Sequence, residues 1–406
     1  MTTIEAEPQK LRRSLNTPLL ILYGLGVTVG AGIYVLIGAT AGQAGPYAPI
    51  AFLVAAAVVA FTAFSYAELS TRYPVSAGEA AYVEAGFQRN WLTVLVGLSV
   101  AASGIISASA VSIGAASYLH PLTGIAEPIL TIGVVGLMAL IALWGITQSV
   151  VVAAVITVIE ISGLLFVIYW GFGEADPAGV PFTEMLPDLS GPHWAGIGAA
   201  SLLAFFAFVG FEDMANVAEE VKDPTQTMPK AIIWTLVLAT LIYVATTTAV
   251  LFAVPLEKLA LSDAPLALVF EDASPRIQQG FGAIAVVATV NGVLIQMIMA
   301  SRVLYGLADR GHLPAVFARV APRFQTPVIA TLCVAAIIMV LTQTLPIEAL
   351  AERTSQVVLA VFILVNLALI RLKHRDPPTM NYYRVPVIVP YLGVAASLLL
   401  FGTSLL

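Results

Sequence analysis

Charge is what this sequence has least of. Only 10% of its 406 residues are Asp, Glu, Lys or Arg, against about 25% in soluble domains, and that deficit excludes a water-covered globule. Cysteine is nearly absent as well. Cys333 stands alone in an apolar run, so an internal disulfide is excluded and the residue reads as helix packing. The four histidines show no ligand spacing. No run of like charge, Ser/Gly linker or low-complexity tract marks off a soluble domain or a basic patch for nucleic acid. Neither a cofactor, a metal nor a nucleic-acid partner is expected.

What is abundant is apolar sequence: 59% of residues are hydrophobic and the mean hydropathy is +0.94. Many runs approach or exceed the roughly 18–20 residues that cross a bilayer, which predicts an all-α, polytopic membrane protein. Spans are expected near 17–41, 47–67, 91–118, 126–146, 150–172, 195–217, 231–254, 279–304, 327–344, 350–370 and 386–405. The polar, basic start (Lys10, Arg12, Arg13) reads as an uncleaved cytoplasmic tail rather than a signal peptide. With that end inside, every Lys and Arg except Lys258, Arg276 and Arg353 falls on the cytoplasmic side or its edge, as positive charge should. Loop 173–194 carries Glu174, Asp176, Glu184 and Asp188 but no Lys or Arg, which suits an external loop. Eleven spans then place the C-terminus outside, with the inner (plasma) membrane as the expected location.

Two of these spans interrupt themselves. The first breaks at VTVGAGIY (Val27 to Tyr34) and the sixth at FAFVGFED (Phe206 to Asp213). In a bilayer each unpaired backbone N–H or C=O costs several kcal/mol, so a break survives only where protein encloses it or it lines a cavity. Spans one to five and six to ten form halves of odd span number, so the second is inverted relative to the first, and each opens with a broken helix. That is the inverted-repeat signature of secondary transporters, whose site lies near the midplane. The whole chain, 1–406, is expected to form one transporter domain: repeat one at about 14–172, repeat two at about 195–371, and an extra helix at about 386–405. Two cytoplasmic loops, 68–87 and 309–327, read as structured. The symmetric partner of 68–87 is 257–276, which would lie outside.

Gly24, Gly26, Gly30 and Gly32 imitate a dinucleotide loop, but that fingerprint needs a preceding strand and an acid about 20 residues on; here apolar sequence flanks both sides and the next acid is Glu68. The break has a direct use instead. A half helix starting near Gly30–Ile33 presents free N–H groups and a positive dipole end to a carboxylate. Carbonyls freed near Thr28, Phe206 and Val209 suit a protonated amine. Together they describe an α-amino acid, with no charged side chain required. Glu212, just past the sixth-span break, reads as a gating or proton-sensing acid, or as a cap on the second half helix. Glu160 lies mid-span with no basic residue in its helix; it reads as a titrating, coupling group, or as a permanently protonated structural acid. Phe205, Phe206 and Phe208 are candidates to close over a ligand, and Ser103, Ser107, Asn291 and Gln296 are candidate polar walls.

Five blocks in order, GVTVGAGIYVLIG (Gly26 to Gly38), ELSTRYPVSAGEAAY (Glu68 to Tyr82), FFAFVGFE (Phe205 to Glu212), EEVKDPTQTMPKA (Glu219 to Ala231) and ADRGHLP (Ala308 to Pro314), resemble the amino acid–polyamine–organocation (APC) superfamily of permeases over residues 14–370. The resemblance implies the leucine-transporter-type fold of five plus five inverted helices, alternating access and amino acid transport, often driven by protons. It places carboxylate donors on Ala31 and Gly32, amine acceptors on Thr28, Phe206 and Val209, and a gating aromatic on Phe206. It places a proton-linked acid on Glu212 and a side-chain contact near Gln296. Where many proton-coupled members carry a lysine in span five, this chain has Glu160, which could titrate or help bind sodium. The leading expectation is proton-coupled uptake of a neutral amino acid. Exchange without net ion coupling and sodium symport are the alternatives, and a channel or a membrane enzyme ranks below them.

Overall fold

The computed structural model describes residues 15–75, 78–143, 150–174, 178–188, 191–320, 326–375 and 382–403. The basic tail with Lys10, Arg12 and Arg13, together with Asp176 and Arg323, lies outside the described residues. The described chain is helical, with an isolated parallel bridge between Leu15 and Val221. In order the helices are α1 (Thr17–Thr28), α2 (Ala31–Ala44), α3 (Ala48–Arg72), α4 (Gly78–Phe87), α5 (Asn90–Thr123), α6 (Glu127–Leu143) and α7 (Val150–Gly173). There follow α8 (Gly191–Phe206), α9 (Pro224–Ala253), α10 (Leu256–Ala260), α11 (Pro275–Asp309), α12 (Val328–Thr344), α13 (Ile347–Arg375) and α14 (Ile388–Thr403). A 3-10 helix, Phe211–Glu220, separates α8 from α9.

Seven helical stretches among the described residues are long and apolar enough to cross a membrane, α2 and α3 running on as one of them; α1, α6, α12 and α14 are shorter apolar helices. Several helices outrun the apolar segments that predict them. α9 begins at Pro224 rather than near 231, and α11 at Pro275 rather than near 279. Proline suits a helix's first turn, where its missing N–H would be unpaired anyway. The 68–87 loop contains α4, and the 257–276 loop contains α10 and a 3-10 turn at Pro265–Phe270.

α5 and α11 form the middle of the packing, and α3 packs on α8 and α9. Lipid offers no hydrophobic drive between helices, so close approach and polar pairs hold them. Small residues permit the approach: a Cβ on Gly26 would sit 2.0 Å from the Thr157 hydroxyl on α7, and one on Gly86 2.8 Å from the Ala368 backbone on α13. Polar pairs do the rest. Asn366 on α13 accepts from Ser65 (2.6 Å) and donates to Thr62 (2.9 Å), both on α3. Nearby, Lys373 Nζ meets Glu68 Oε2 at 2.5 Å, with the side chains 10% and 1% exposed. The same carboxylate oxygen accepts the Val385 N–H (2.8 Å), and Lys373 donates to the Val385 carbonyl (2.7 Å). One buried ion pair thus fastens α3, α13 and the chain leading into α14.

Removing one member of such a pair leaves a buried charge unmatched, at a cost of about 3–5 kcal/mol. Lys373→Met is therefore expected to lower the melting temperature in detergent sharply, and the Glu68→Gln/Lys373→Met double variant to recover much of the loss. A single variant as stable as the wild type would remove this pair from the account.

Candidate functional site

α1 stops because the chain turns at Val29, whose N–H still bonds the Leu25 carbonyl (2.6 Å). Gly30, at φ −54°, ψ −102°, is not helical, and α2 restarts at Ala31 with no side chain capping it. The first N–H groups of a helix have no intrahelical partner, so Ala31, Gly32 and Ile33 present uncapped donors at this end. α8 stops at Phe206, followed by tight turns: Ala207, Phe208 and Val209 donate to Ala204, Phe205 and Phe206. Gly210 then takes φ +118°, a region closed to residues with a Cβ. Beyond it the chain runs as the 3-10 helix, not the second α-helical half that the sequence suggests. Ten residues is long for this helix type, and such stretches often mark hinges.

The two breaks lie against each other. A Cβ on Gly32 would fall 2.5 Å from the Ala207 Cα, and one on Gly210 2.8 Å from the Val27 carbonyl. Tyr243, buried on α9, reaches both: its hydroxyl stands 2.6 Å from the Thr28 carbonyl and 2.7 Å from the Ala207 carbonyl. At the end of α1 away from the break, Leu15 N–H donates to Glu220 (3.0 Å) and Lys222 N–H to Leu15 (2.9 Å). The interrupted segments are therefore joined at their breaks and again at the start of α1.

A cavity of about 20 Å³ opens at the junction, lined by Thr28, Gly32, Phe206, Val209 and Gln296, with Ser107 opposite. The structure thus brings six of the sequence-predicted residues, Ser107 among them, around one space. Ala31 and Ile33 adjoin it through α2, and Gly30 is the break itself. The space holds a water or two, so a larger ligand needs its walls to part. The Thr28 carbonyl is not free as expected, since Tyr243 donates to it, and the Phe206 carbonyl accepts the Val209 N–H (3.1 Å). Each carbonyl oxygen has two lone pairs, so a further donor can still be accepted. Of the three phenylalanines only Phe206 lines the cavity; Phe205 packs edge-on to Phe362, and Phe208 to Tyr243.

Glu160 lies apart from that lining. It is fully buried, and its Oε1 accepts from Asn291 on α11 at 3.2 Å while Oε2 has no partner among the described residues. Its backbone carbonyl accepts the Tyr34 hydroxyl (2.8 Å), and Tyr118 in turn donates to the Tyr34 carbonyl (2.7 Å). Asn291 therefore serves Glu160 rather than the cavity. Ser103 returns its hydroxyl to the Val100 carbonyl (2.8 Å) and lines a neighbouring space.

That second cavity shares Val209 and Gln296 with the first and is bordered by Glu79, Glu212 and Asp213. Glu212 Oε2 accepts the Gly210 N–H (2.9 Å), tying the acid back to the break. Tyr66 donates to Glu79 Oε1 (3.2 Å). Burial drives the Glu79 carboxyl up to about 7, opposed by its own backbone N–H and by Tyr66. Glu79, Asp213, Tyr66 and Tyr243 were not singled out from sequence. Glu79 sits in an amphipathic loop where an acid reads as solvent-facing, and nothing local distinguishes Tyr243.

An all-helical membrane fold with two interrupted helices meeting at a buried polar cavity is the architecture of a polytopic transporter. The chain belongs to the amino acid permease family, whose profile matches residues 15–406. It is 27% identical to the branched-chain amino acid permease BcaP of Bacillus subtilis, over 97% of this chain and 88% of that one. It is 30% identical to the cationic amino acid transporter 2, vacuolar, of Arabidopsis thaliana, over 92% of this chain but 62% of the relative. An uncharacterized transporter of Mycobacterium tuberculosis is 31% identical over 88% of this chain and 80% of its own length. Membership in the family makes the protein a multi-pass membrane transporter of amino acids, not an enzyme.

Because the fold favours the neutral form of Glu79, the stability this group contributes is full below its ordinary 4.5 and is lost as pH rises through about 7. The difference amounts to about 3 kcal/mol. Glu79→Gln should flatten the fall in melting temperature between pH 5 and 7, measured in detergent; an unchanged slope would place the dependence elsewhere.

Proposed function

We propose that the protein is a secondary active transporter that carries a neutral amino acid inward with a proton by alternating access. The observation that carries this reading is the meeting of the two breaks at one cavity. The α-carboxylate binds the first N–H groups of α2, at Ala31, Gly32 and Ile33 beside Gly30, where the helix dipole is positive. The α-amine binds the carbonyls of Thr28, Phe206 and Val209. The residues lining the cavity carry no formal charge, which supports a neutral substrate side chain, with Gln296 contacting it and Phe206 closing over it. Coupling runs through two acids, the buried Glu160 and the half-buried Glu212 directly after the sixth-span break. A proton entering along the membrane potential contributes about 2.3 kcal/mol per 100 mV.

The chain acts as one unit in the plasma (inner) membrane. Repeats 14–172 and 195–371 are five-span halves of opposite orientation, and 386–405 adds an eleventh span. The N-terminus is cytoplasmic and the C-terminus outside. The matched interruptions, α1/α2 and α8/3-10, support the leucine-transporter-type arrangement, since each opens one half.

Binding of the common amino acids to the purified protein, followed by uptake into vesicles, tests the reading. A neutral amino acid should bind best and accumulate under an inward acid gradient. Uptake that ignores pH but needs internal substrate would establish exchange, and uptake that follows a sodium gradient would establish sodium symport. Gly32→Ala puts a methyl group 2.5 Å from the Ala207 Cα, forcing the breaks apart. It should weaken binding by about tenfold or more, equal to about 1.4 kcal/mol, and retained affinity would move the site.

A further inference from the structure

Three carboxylates border the second cavity from two separate elements. Glu212 and Asp213 lie on the 3-10 helix directly after the break, and Glu79 lies on α4. Glu79 is 3% exposed and Asp213 7%, and no lysine, arginine or histidine lines the space among the described residues. Among the described residues the donors that reach Glu79 and Glu212 are neutral: the Tyr66 hydroxyl and its own backbone N–H on Glu79, and the Gly210 N–H and its own backbone N–H on Glu212. Gln296 borders the same space, is 7% exposed, and hydrogen-bonds to none of the described residues. A cavity that holds three acids and an unpartnered amide, and offers no cation, is built for positive charge that arrives and leaves.

We propose that Glu79, Glu212 and Asp213 together hold the coupled proton as one shared site, with Glu79 the member that passes it to and from the α4 side. This rests on the proton-coupled reading of the transporter and adds Glu79 and Asp213 to it. Three neighbouring carboxylates in a water-poor space cannot all be ionised without a cation, and such groups titrate as a set. The proton is taken from water on one side as a carboxylate becomes a carboxylic acid, and is returned to water on the other side. Its effect on the substrate is direct. The Gly210 N–H that Glu212 accepts belongs to the turn that ends the α8 break, so a change of charge there acts on Phe206 and Val209.

The groups facing the cluster agree with this. From α3 comes Tyr66; from α4 itself, Tyr82, whose hydroxyl has no partner among the described residues. α5, α11 and α13 contribute Ser103, Gln296, Met299 and apolar side chains, with no titrating group. Asp213 also faces Tyr23 on α1, which lies within electrostatic reach of Arg302 and Glu220. Burial raises Glu79 to about 7, which supports a proton that exchanges under ordinary conditions.

The test uses the full chain in two ways. Infrared titration of the carboxylic-acid band in purified protein needs no substrate. It should show a band titrating near neutral pH that Glu79→Gln and Asp213→Asn each shift or remove. In vesicles, an equimolar mixture of radiolabelled alanine, serine, valine and leucine is driven by an acid gradient of about one pH unit, which supports up to about tenfold accumulation at one proton per substrate. Glu79→Gln should lose that accumulation while exchange against the preloaded mixture stays within about twofold of wild type, and Glu79→Asp should restore part of it. The proposal is overturned if Glu79→Gln titrates and accumulates as wild type. If wild-type uptake ignores the gradient, the proton-coupled reading falls by itself, and a band unmoved by Glu79→Gln then removes the shared site too.

Discussion

The backbone of an interrupted helix in a membrane must find partners inside the protein, and the rest of this structure follows from how that demand is met. Here the Thr28 and Ala207 carbonyls, one from each break, converge on the single hydroxyl of Tyr243. A hydroxyl has one proton, so neither carbonyl is saturated and both keep capacity for an arriving donor. The convergence is possible only because Gly32 and Gly210 let the two backbones touch, and at Gly210 also because its φ of +118° admits no side chain.

Two groups of polar residues lie near that junction. One group, Tyr118, Tyr34, Glu160 and Asn291, joins α5, α2, α7 and α11 by hydrogen bonds of 2.7–3.2 Å. The other is the set around Glu79, Glu212 and Asp213, linked to the break through the Gly210 N–H. The substrate cavity lies next to the space this second group borders, sharing Val209 and Gln296 with it. A transporter must make occupancy of one place depend on occupancy of another, and shared walls are the simplest way for neighbouring sites to sense each other. The Leu15 and Val221 backbone bridge gives the same two segments a second joint.

The helices were legible in the sequence because apolar length is a strong signal in a chain with so little charge. The breaks were legible because Gly30, Gly32 and Gly210 stand at matching places in two apolar runs, a pairing that close helix packing alone does not explain. Thr28, Gly32, Phe206, Val209 and Gln296 could be named in advance because each sits on a break or on an expected wall. What could not be read is whatever depends on distant parts of the chain. Tyr243 lies 215 residues from Thr28, in a helix with no unusual pattern. The pairing of Asn291 with Glu160 spans 131 residues. Glu79 looks like a surface acid until α4 is folded against α5 and α13. The second half of the broken sixth span was expected as an α-helix, because the Phe211–Glu220 segment carries no local mark of the tighter 3-10 geometry.

The central claim is that the two broken helices form one ligand site whose carbonyls are held in place by Tyr243. Substrate affinity of Tyr243→Phe tests it most directly, since that change removes one oxygen and keeps the ring that packs on Phe52 and Phe208. Leaving buried carbonyls without their donor costs about 1–3 kcal/mol, so the dissociation constant should rise by about tenfold or more while the protein remains folded in the membrane. An affinity equal to wild type in a folded Tyr243→Phe protein would contradict the account.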